Sequence, residues 1–350
     1  MNHLHDLPGW LNRYSCPAFI VKENLITACN QPATALLLET GMDIRNFLMT
    51  GSEEYANFQN GCLYLKLKFS AKGCGASVTR EADGDLFLLD QEPEEKDLRS
   101  LSLAARELRS PLSNLIIAAE ALKKASGDPD LLEQIARLNR SLHQMHRLIN
   151  NMSDAGKTSL TSDFGIHDWN RLFHDIFEKI SIQLEGTKFS LTFDGPNQSI
   201  YALANPVQLE RAVLNIVSNA MKFMPEGGII HADLIRNHNT LQLRIQDSGN
   251  GIPENILGNV FTRYQRQPGI EDNRYGIGLG MVLIRNAASD HGGTVLIDSP
   301  DGQGTRITMT FSIRQDTSLL KTPVLAPIVS NSPQILMELS EVLPWEFYQK

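Results

Sequence analysis

Apolar positions divide the chain into stretches with two different periods. Between residues 14 and 90, short apolar runs alternate with polar turns, as in Leu25–Cys29 and Gly61–Phe69. From Leu98 the apolar residues recur in alternating steps of three and four, and the same pattern resumes at Leu131. Short alternating runs predict strands, whereas a sustained period of 3.5 predicts helices that bury a common stripe. The pattern therefore predicts a strand-rich segment followed by a helical hairpin.

The predicted hairpin carries one apolar stripe on each helix, with the turn Ser126–Pro129 between them. The stripe positions are Leu98, Leu101, Ala105, Leu108, Leu112, Leu115, Ala119 and Leu122 in the first helix and Leu131, Ile135, Leu138, Leu142, Met145, Ile149 and Met152 in the second. Two hairpins paired in a four-helix bundle would bury both stripes, so we expect a homodimer. The alternative is a monomeric hairpin that packs on a neighbouring domain of its own chain.

Further strands and helices are predicted on either side of the hairpin. Before it, strands are predicted at 17–21, 25–29, 61–69, 76–79 and 85–89, with short helices at 32–38 and 43–47. After it, strands are predicted at 188–193, 199–203, 229–236, 241–246, 294–298 and 305–313, with helices at 168–183 and from Asn205 onward. The second set predicts a two-layer α/β sandwich, with helices on one face of a mixed sheet.

Two polar segments separate these stretches and place the predicted domain boundaries. Glu92–Asp97 is charged and contains a proline, and residues 153–163 are polar and rich in Gly, Ser and Thr. We therefore expect an α+β multidomain protein. Its predicted parts are an N-terminal domain at 1–92, a helical hairpin at 93–156, an α/β domain at 160–314 and a tail at 315–350, to which no function is assigned.

Composition and charge argue against nucleic acids as partners and against a membrane-spanning segment in this chain. Charged residues make up 21% of the 350 residues, the formal net charge is −8 and the pI is about 5.6. This acidic balance, with no basic patch, argues against nucleic-acid binding. The sequence contains no apolar run of membrane-spanning length, and His3, His5 and Asp6 near the N-terminus are not typical of a signal peptide. We expect a cytoplasmic protein.

The four cysteines lie at Cys16, Cys29, Cys62 and Cys74. They lack the Cys-x-x-Cys spacing of common zinc and iron–sulfur sites. We expect them to be reduced, small apolar residues.

Three short clusters carry the candidate chemistry. Asn215 and Asn219 are four residues apart and so share a helix face, with Lys222 three residues further along. An amide oxygen suits Mg²⁺, and an ammonium group can reach a phosphate. Asp247 follows a predicted strand and precedes Gly249. A carboxylate there could accept a hydrogen bond from an adenine amino group, while glycine lets backbone approach a flat base.

The third cluster consists of Gly276, Gly278 and Gly280, which open an apolar helix. Glycines at a helix start allow close approach of phosphates to the N-terminal N–H groups. Each cluster alone is a weak signal, because such turns and helix faces are common. The three in fixed order are far more specific and indicate a nucleotide site.

In this order, the clusters resemble the N, G1 and G2 boxes of the HATPase_c domain of sensor histidine kinases, in the GHKL superfamily that includes gyrase, Hsp90 and MutL. Phe261 lies where that family has its F box, and residues 262–275 resemble its ATP lid. The resemblance implies the Bergerat ATP-binding fold with ATP and Mg²⁺ as cofactors. It also implies that Asn219 holds Mg²⁺ and that Asp247 reads adenine. The implied binding residues are Asn215, Asn219, Lys222, Phe223, Asp247, Gly249, Gly251, Ile252, Arg266, Gly276, Gly278, Leu279 and Gly280, of which Lys222 and Arg266 would meet phosphates and Phe223 the base.

The first helix of the hairpin contains Arg106–Leu112, which resembles the H box of the same family and its HisKA domain. The phosphoacceptor histidine of that motif corresponds here to Arg106. A neutral imidazole has a lone pair that can attack a phosphoryl group, whereas a guanidinium is protonated and has none. Glu107, which in the family helps to take the proton, is retained. Ser110 stands where the family's phosphatase activity uses Thr or Asn.

Residues 14–90 resemble a PAS-type sensor domain by layout, with two strands, small helices and a strand meander. The resemblance implies a ligand-binding or signal-sensing role but names no ligand.

Three functions remain open at this point. The first is a dimeric sensor-kinase homologue that binds ATP and Mg²⁺, lacks His phosphotransfer and acts as an adaptor or as a phosphatase of a response regulator. The second is an active protein kinase with another acceptor, such as Arg106 or a residue on a partner. The third is an ATP-hydrolysing machine of the gyrase or Hsp90 type. In that class a glutamate base stands at the position of Asn215, and an amide cannot replace it. We favour the first.

Overall fold

The computed structural model describes residues 10–69, 73–90, 95–155, 164–253, 257–258, 260–261, 279–299, 304–313 and 332–349. All bonds, contacts and absences given below concern these residues.

The N-terminal part contains five strands and two short α-helices. They are β1 (Ala18–Lys22), β2 (Leu25–Cys29), α1 (Gln31–Ala35), α2 (Ser52–Asn57), β3 (Cys62–Lys68), β4 (Gly73–Glu81) and β5 (Gly84–Leu89), with 3-10 turns at Leu11–Arg13 and Ile44–Asn46. Asn30 caps α1, since its Oδ1 accepts the Ala33 N–H at 3.0 Å. The helix predicted at 32–38 is shorter than expected because Leu37 takes a left-handed φ of 62°.

The helical hairpin consists of α3 (Glu95–Ala125) and α4 (Pro129–Ala155). Its stripe divides into two sets of positions seven residues apart. Ala105, Leu112 and Ala119 are buried against Leu142 and Ile149 of α4. The other set is exposed to between 46% and 56% and consists of Leu108, Leu115, Leu122, Leu131, Leu138 and Met145. Among the stripe positions whose side chains the structure describes, one set is therefore closed within the hairpin and the other is left about half exposed.

The C-terminal part is a mixed sheet covered by helices. Its elements are β6 (Gly165–Asp168), α5 (Trp169–Leu184), β7 (Phe189–Asp194), β8 (Tyr201–Ala204), α6 (Pro206–Lys222), β9 (Gly228–Asn237), β10 (Thr240–Asp247), α7 (Leu279–Asp290), β11 (Val295–Asp298), β12 (Arg306–Ser312) and α8 (Ser332–Glu338), with a final 3-10 turn at Trp345–Tyr348. Strand β7 pairs with β9 in parallel, while β9, β10, β12 and β11 are antiparallel neighbours. Strand β6, which the sequence did not predict, pairs with β8.

The two sheets join through an antiparallel pairing of β3 with β11. Leu63 is opposite Leu296, and Tyr64 is opposite Val295. The result is one ten-stranded sheet in the order β2-β1-β5-β4-β3-β11-β12-β10-β9-β7. Sequence reasoning did not foresee this continuity, because each part had been predicted to form a sheet of its own.

Strand β3 is buried on both faces as a consequence of this pairing. Leu63 and Leu65 belong to the core of the N-terminal part. Cys62 and Tyr64, which point to the opposite face, belong to the large core formed by α5, α6, α7 and the C-terminal sheet. A strand with two buried faces needs apolar side chains at successive positions, as Cys62–Leu65 has.

A buried arginine connects the two parts next to this pairing. Arg285 of α7 is 2% exposed, and its Nη1 lies 2.7 Å from Asp90 Oδ1 and 3.0 Å from the Phe261 carbonyl oxygen. Asp90 also accepts a 2.7 Å hydrogen bond from the Tyr64 hydroxyl. Because Asp90 directly follows β5, this cluster ties the end of the N-terminal part to α7.

Substitution of Gly61, which directly precedes β3, tests the close pairing of β3 with β11. Gly61 and Gly41 have φ values of 98° and 90°, so alanine costs each of them about 1 kcal/mol of backbone strain. A Cβ on Gly61 would also meet the Ile297 carbonyl oxygen, whereas one on Gly41 would meet nothing within 4 Å. We expect Gly61→Ala to lower the free energy of unfolding by about 1–3 kcal/mol more than Gly41→Ala, measured by urea unfolding. Equal losses would contradict the close β3–β11 pairing.

Candidate nucleotide-binding site

Helix α6 places the first cluster at its C-terminal end. Asn205 caps the helix, since its Oδ1 accepts the Gln208 N–H at 3.1 Å, and Pro206 occupies the first turn. Both features confirm the predicted start. Lys222 is the last residue of the helix, and Phe223, which follows it, is 38% exposed. The cation and a partly exposed aromatic residue are therefore neighbours in sequence at the end of the helix.

The two asparagines of α6 have different surroundings. Asn215 is 1% exposed, its Nδ2 donates to the Arg211 carbonyl at 2.8 Å, and its Oδ1 accepts from Arg147 Nη2 of α4 at 3.2 Å. Asn219 is only half-buried, with its Nδ2 3.8 Å from Met281 Sδ of α7. In this arrangement Asn219 is the more accessible of the two amides, and the binding roles implied for both residues stay predictions.

Asp247 is the last residue of strand β10, which lies between β9 and β12 in the sheet. The backbone N–H groups of Gly249 and Thr305 donate to Asp247 Oδ1 at 2.8 and 3.0 Å and so orient the carboxylate. Burial raises the pKa of Asp247, while the hydrogen bonds from Gly249 and Thr305 oppose the rise. The result is a half-buried carboxylate in a fixed orientation.

The structure brings described members of the three clusters, Gly249 and Gly280 among them, onto α6. A Cβ on Gly249 would lie 3.2 Å from Met224 Cγ, so the loop after β10 packs on the end of α6. A Cβ on Gly280 would lie 3.1 Å from Asn215 Oδ1, so the start of α7 packs on the same helix. Gly251 adopts a φ of 73°, a conformation that glycine adopts without strain. Ile252 is half-buried and packs on the core beside this loop.

Some candidate residues cannot be placed. Arg266, Gly276 and Gly278 lie outside the described residues, and α7 begins at Leu279. On the hairpin, Arg106, Glu107 and Ser110 are all exposed on α3, and Ala105 beside them is fully buried.

Sequence reasoning missed one group of charged residues that reaches this site from the C-terminus. Glu341 Oε2 lies 2.7 Å from Lys222 Nζ and 3.3 Å from Arg147 Nη1. Glu338, which is 0% exposed, lies 3.3 Å from Arg147 Nε and 3.4 Å from Arg211 Nε. The sequence assigned no function to residues 315–350, and no local pattern identified the cationic partners of these glutamates.

Comparison with known families places these features in context. Residues 204–315 match the family of histidine kinase-, DNA gyrase B- and HSP90-like ATPases. Residues 98–159 match the His Kinase A (phospho-acceptor) domain. The adaptive-response sensory kinase SasA of Crocosphaera subtropica is 31% identical over 267 residues, which cover 70% of this chain and 68% of that protein. The chain belongs to the sensor histidine kinase family.

Other relatives of this sensor histidine kinase homologue are more distant. The hybrid signal transduction histidine kinase D of Dictyostelium discoideum is 24% identical over 291 residues. These residues cover 75% of this chain but only 18% of that protein. The crystal structure of full-length ShkA in complex with AMPPNP has a TM-score of 0.51 and 19% identity, covering 62% of this chain and 47% of ShkA. That likeness supports the fold, a mixed α+β chain with a HisKA helical region and a HATPase_c α/β domain.

None of the helices in the described part of this family member combines the length and the apolar character that a membrane crossing requires.

Asp247 provides a direct test of the base position in this sensor histidine kinase homologue. If it reads adenine, Asp247→Asn should weaken ATP binding by about 1–3 kcal/mol, because a charged hydrogen-bond partner is lost. Titration calorimetry would measure this, with Asp194→Asn as the control, since Asp194 is 80% exposed on β7. An unchanged affinity in Asp247→Asn would mean that the base lies elsewhere.

Proposed function

We propose that the chain is a cytoplasmic sensor histidine kinase homologue that binds ATP and Mg²⁺ as a dimer but does not phosphorylate a histidine at the usual position. It would act as a signalling adaptor or as a phosphatase of a response regulator. The observation that carries the proposal is the exposed Arg106 on α3, beside the buried Ala105. The outward position would suit a phosphoacceptor, yet a guanidinium has no lone pair with which to attack a phosphoryl group.

The donor set of the site fits a magnesium nucleotide. Lys222 already binds a carboxylate oxygen, so its position suits an oxyanion such as a phosphate. The amide oxygen of Asn219 would hold Mg²⁺, which prefers hard oxygen ligands. Phe223 would contact the base, and the oriented Asp247 carboxylate would accept the adenine amino group. Bound ATP would supply a γ-phosphoryl group, for which Arg106 offers no acceptor.

The N-terminal part is proposed to be a PAS-like sensor domain at 1–92, followed by the hairpin at 93–156, the ATP-binding domain at 160–314 and the tail at 315–350. The order of two strands, two small helices and a three-stranded meander supports this assignment. A signal received there would have two routes to the ATP-binding domain, through the chain into α3 and through the contact of Asp90 with Arg285.

A homodimer is supported by the uncovered half of the hairpin stripe. Leu108, Leu115 and Leu122 on α3 are each about half exposed and stand seven residues apart. A second hairpin that buried these positions would complete a four-helix bundle. Helix α4 does contact the C-terminal part of its own chain, but through Ala136, Arg140 and Arg147, none of which belongs to this stripe.

The phosphatase form of the proposal is supported by the position of Ser110. It lies three residues after Glu107, so both side chains share one exposed side of α3. A hydroxyl there could position a water molecule against a phosphorylated partner.

Incubation of the purified protein with γ-labelled ATP tests the loss of phosphotransfer. We expect no stable label on the wild-type chain. Arg106→His should gain an acid-labile label, because an imidazole restores the nucleophile at an exposed position. Arg106→Ala is the matched control and should stay unlabelled.

Stable label on the wild-type chain that is lost in Arg106→Ala would contradict the proposal and favour an active kinase that uses Arg106 itself. The same preparation, mixed with a phosphorylated response regulator, separates the two forms of the proposal. If the regulator is dephosphorylated, and more slowly by Ser110→Ala than by wild type, the phosphatase role is supported. If the regulator stays phosphorylated, the adaptor role remains.

The dimer can be tested with one substitution in the exposed stripe. Leu115→Lys places a charge where a second hairpin would pack, so the protein should become monomeric in sedimentation equilibrium. Ile117→Lys is the matched control, since Ile117 is 64% exposed on the same helix and lies off the stripe. It should remain dimeric, and equal behaviour of the two variants would argue against the four-helix bundle.

A further inference from the structure

Residues 332–349, here called the C-terminal segment, lie between α4 and the ATP-binding domain. Ile335, Leu339, Leu343 and Tyr348 are each less than 5% exposed and belong to the large core of the α/β domain. The segment is therefore held by apolar burial and is an integral layer of the structure.

One face of α4 holds the backbone and the aromatic end of this segment. Arg140 Nε and Gln144 Nε2 each donate to the Ser340 carbonyl oxygen at 3.0 Å. The guanidinium of Arg137 stacks over the Trp345 ring at 4.9 Å. These side chains are three and four residues apart, so they form one polar stripe along α4.

Two of the three glutamates of the segment, Glu338 and Glu341, face three cations. Glu341 lies 2.7 Å from Lys222 Nζ and 3.3 Å from Arg147 Nη1, and Glu338 lies between Arg147 and Arg211 at 3.3 and 3.4 Å. Burial would raise the pKa of Glu341, but Arg147 and Lys222 outweigh burial and hold it below the ordinary range. Glu341 is thus an anion bound to the lysine that was predicted to meet nucleotide phosphates.

The buried part of this cluster is paired in charge but incompletely hydrogen-bonded. Arg147 Nε and Nη1 and both oxygens of Glu338 are buried and have no partner in hydrogen-bond geometry among the described residues. Buried polar atoms without such partners raise the energy of the arrangement that contains them. The docked segment is therefore held at this cluster by ion pairing at 3.3–3.4 Å rather than by well-formed hydrogen bonds.

We propose that the C-terminal segment inhibits nucleotide binding in cis, with the Glu341 carboxylate occupying the position on Lys222 that a nucleotide phosphate would take. The proposal rests on the proposed function, because it assumes that Lys222 meets phosphate. A carboxylate and a phosphate are both oxyanions, and although an ammonium group has three donors, two anions held at the same cation repel each other. Nucleotide and Glu341 then compete for the same cation.

Under this competition, the apparent nucleotide affinity equals the intrinsic affinity multiplied by the fraction of molecules in which Lys222 is released from Glu341. By reciprocity, a bound nucleotide weakens the docking of the segment around Glu341 by the same factor. A partner that binds residues 332–349 and releases Glu341 from Lys222 would therefore raise the nucleotide affinity without contacting the residues that bind the base.

The test uses the full-length protein and calorimetric titration with the non-hydrolysable analogue AMPPNP and Mg²⁺. Glu341→Gln keeps the size and the half-buried packing of the side chain but removes the charge, so the analogue should bind about tenfold more tightly than to wild type. Glu346→Gln is the matched control, because Glu346 is exposed on the same segment. It should bind like wild type, and thermal unfolding confirms that each variant is folded.

Four outcomes are distinguishable. Tighter binding to Glu341→Gln alone, or binding to that variant but not to wild type, supports the inhibition. Measurable binding that is equal or weaker in Glu341→Gln overturns the inhibition and leaves the nucleotide site standing. Absence of binding in wild type and in both variants overturns the nucleotide site itself, and the inhibition with it.

Hydrogen exchange supplies a readout that does not depend on affinity. The amides of Leu339 and Leu343 donate to the carbonyls of Ile335 and Leu339 at 2.9 Å, so they report on the docked segment. Saturating analogue should speed their exchange in wild type and have a smaller effect in Glu341→Gln, whose segment is already loosened. Unchanged or slower exchange in wild type would overturn the proposal.

Discussion

The pairing of β3 with β11 is the contact on which the arrangement of the chain depends. It places Leu63 and Leu65 in one core and Cys62 and Tyr64 in another, so a single strand is shared by two hydrophobic clusters. Separating the two sheets would expose apolar side chains on both sides of that strand and break backbone hydrogen bonds between the edges. The N-terminal part is consequently fixed beside the ATP-binding domain laterally, in addition to its covalent connection through α3.

Electrostatics, rather than apolar packing, determines the details of the nucleotide-binding site. Arg147 is buried and Arg211 is half-buried near Asn215, and such cations are costly to desolvate unless carboxylates accompany them. Glu338 and Glu341 supply those carboxylates from a distant part of the chain. The same requirement explains why α4, α6 and the C-terminal segment meet at one place, since each contributes charges that the others neutralise.

Local features of the fold were predictable from the sequence, because their causes are local. The caps at Asn30 and Asn205 and the boundaries of α3 and α4 follow from side-chain chemistry and from periodicity within a few residues. The loop after β10 was also predictable, since Asp247 follows an alternating strand and precedes two glycines.

Features that depend on distant partners could not be predicted in this way. The burial of Asn215 arises from the packing of α4 and α7 on the same helix, which no local pattern encodes. Strand β3 carried a partial signal, because apolar residues at successive positions are typical of a strand covered on both faces. The sequence did not identify β11 as its neighbour, nor did it connect Glu341 with Lys222.

Asp90 and Arg285 give the molecule a mechanical property that follows from their position. Nη1 of Arg285 donates to both Asp90 Oδ1 and the Phe261 carbonyl oxygen, and the arginine has almost no access to water. A small displacement of β5 cannot be absorbed by solvent there, because close-packed interiors transmit strain. Asp90 follows the last N-terminal strand and Phe261 lies between β10 and α7 in the sequence, so a shift of β5 would have to be met by a change at one of the two hydrogen bonds of this guanidinium.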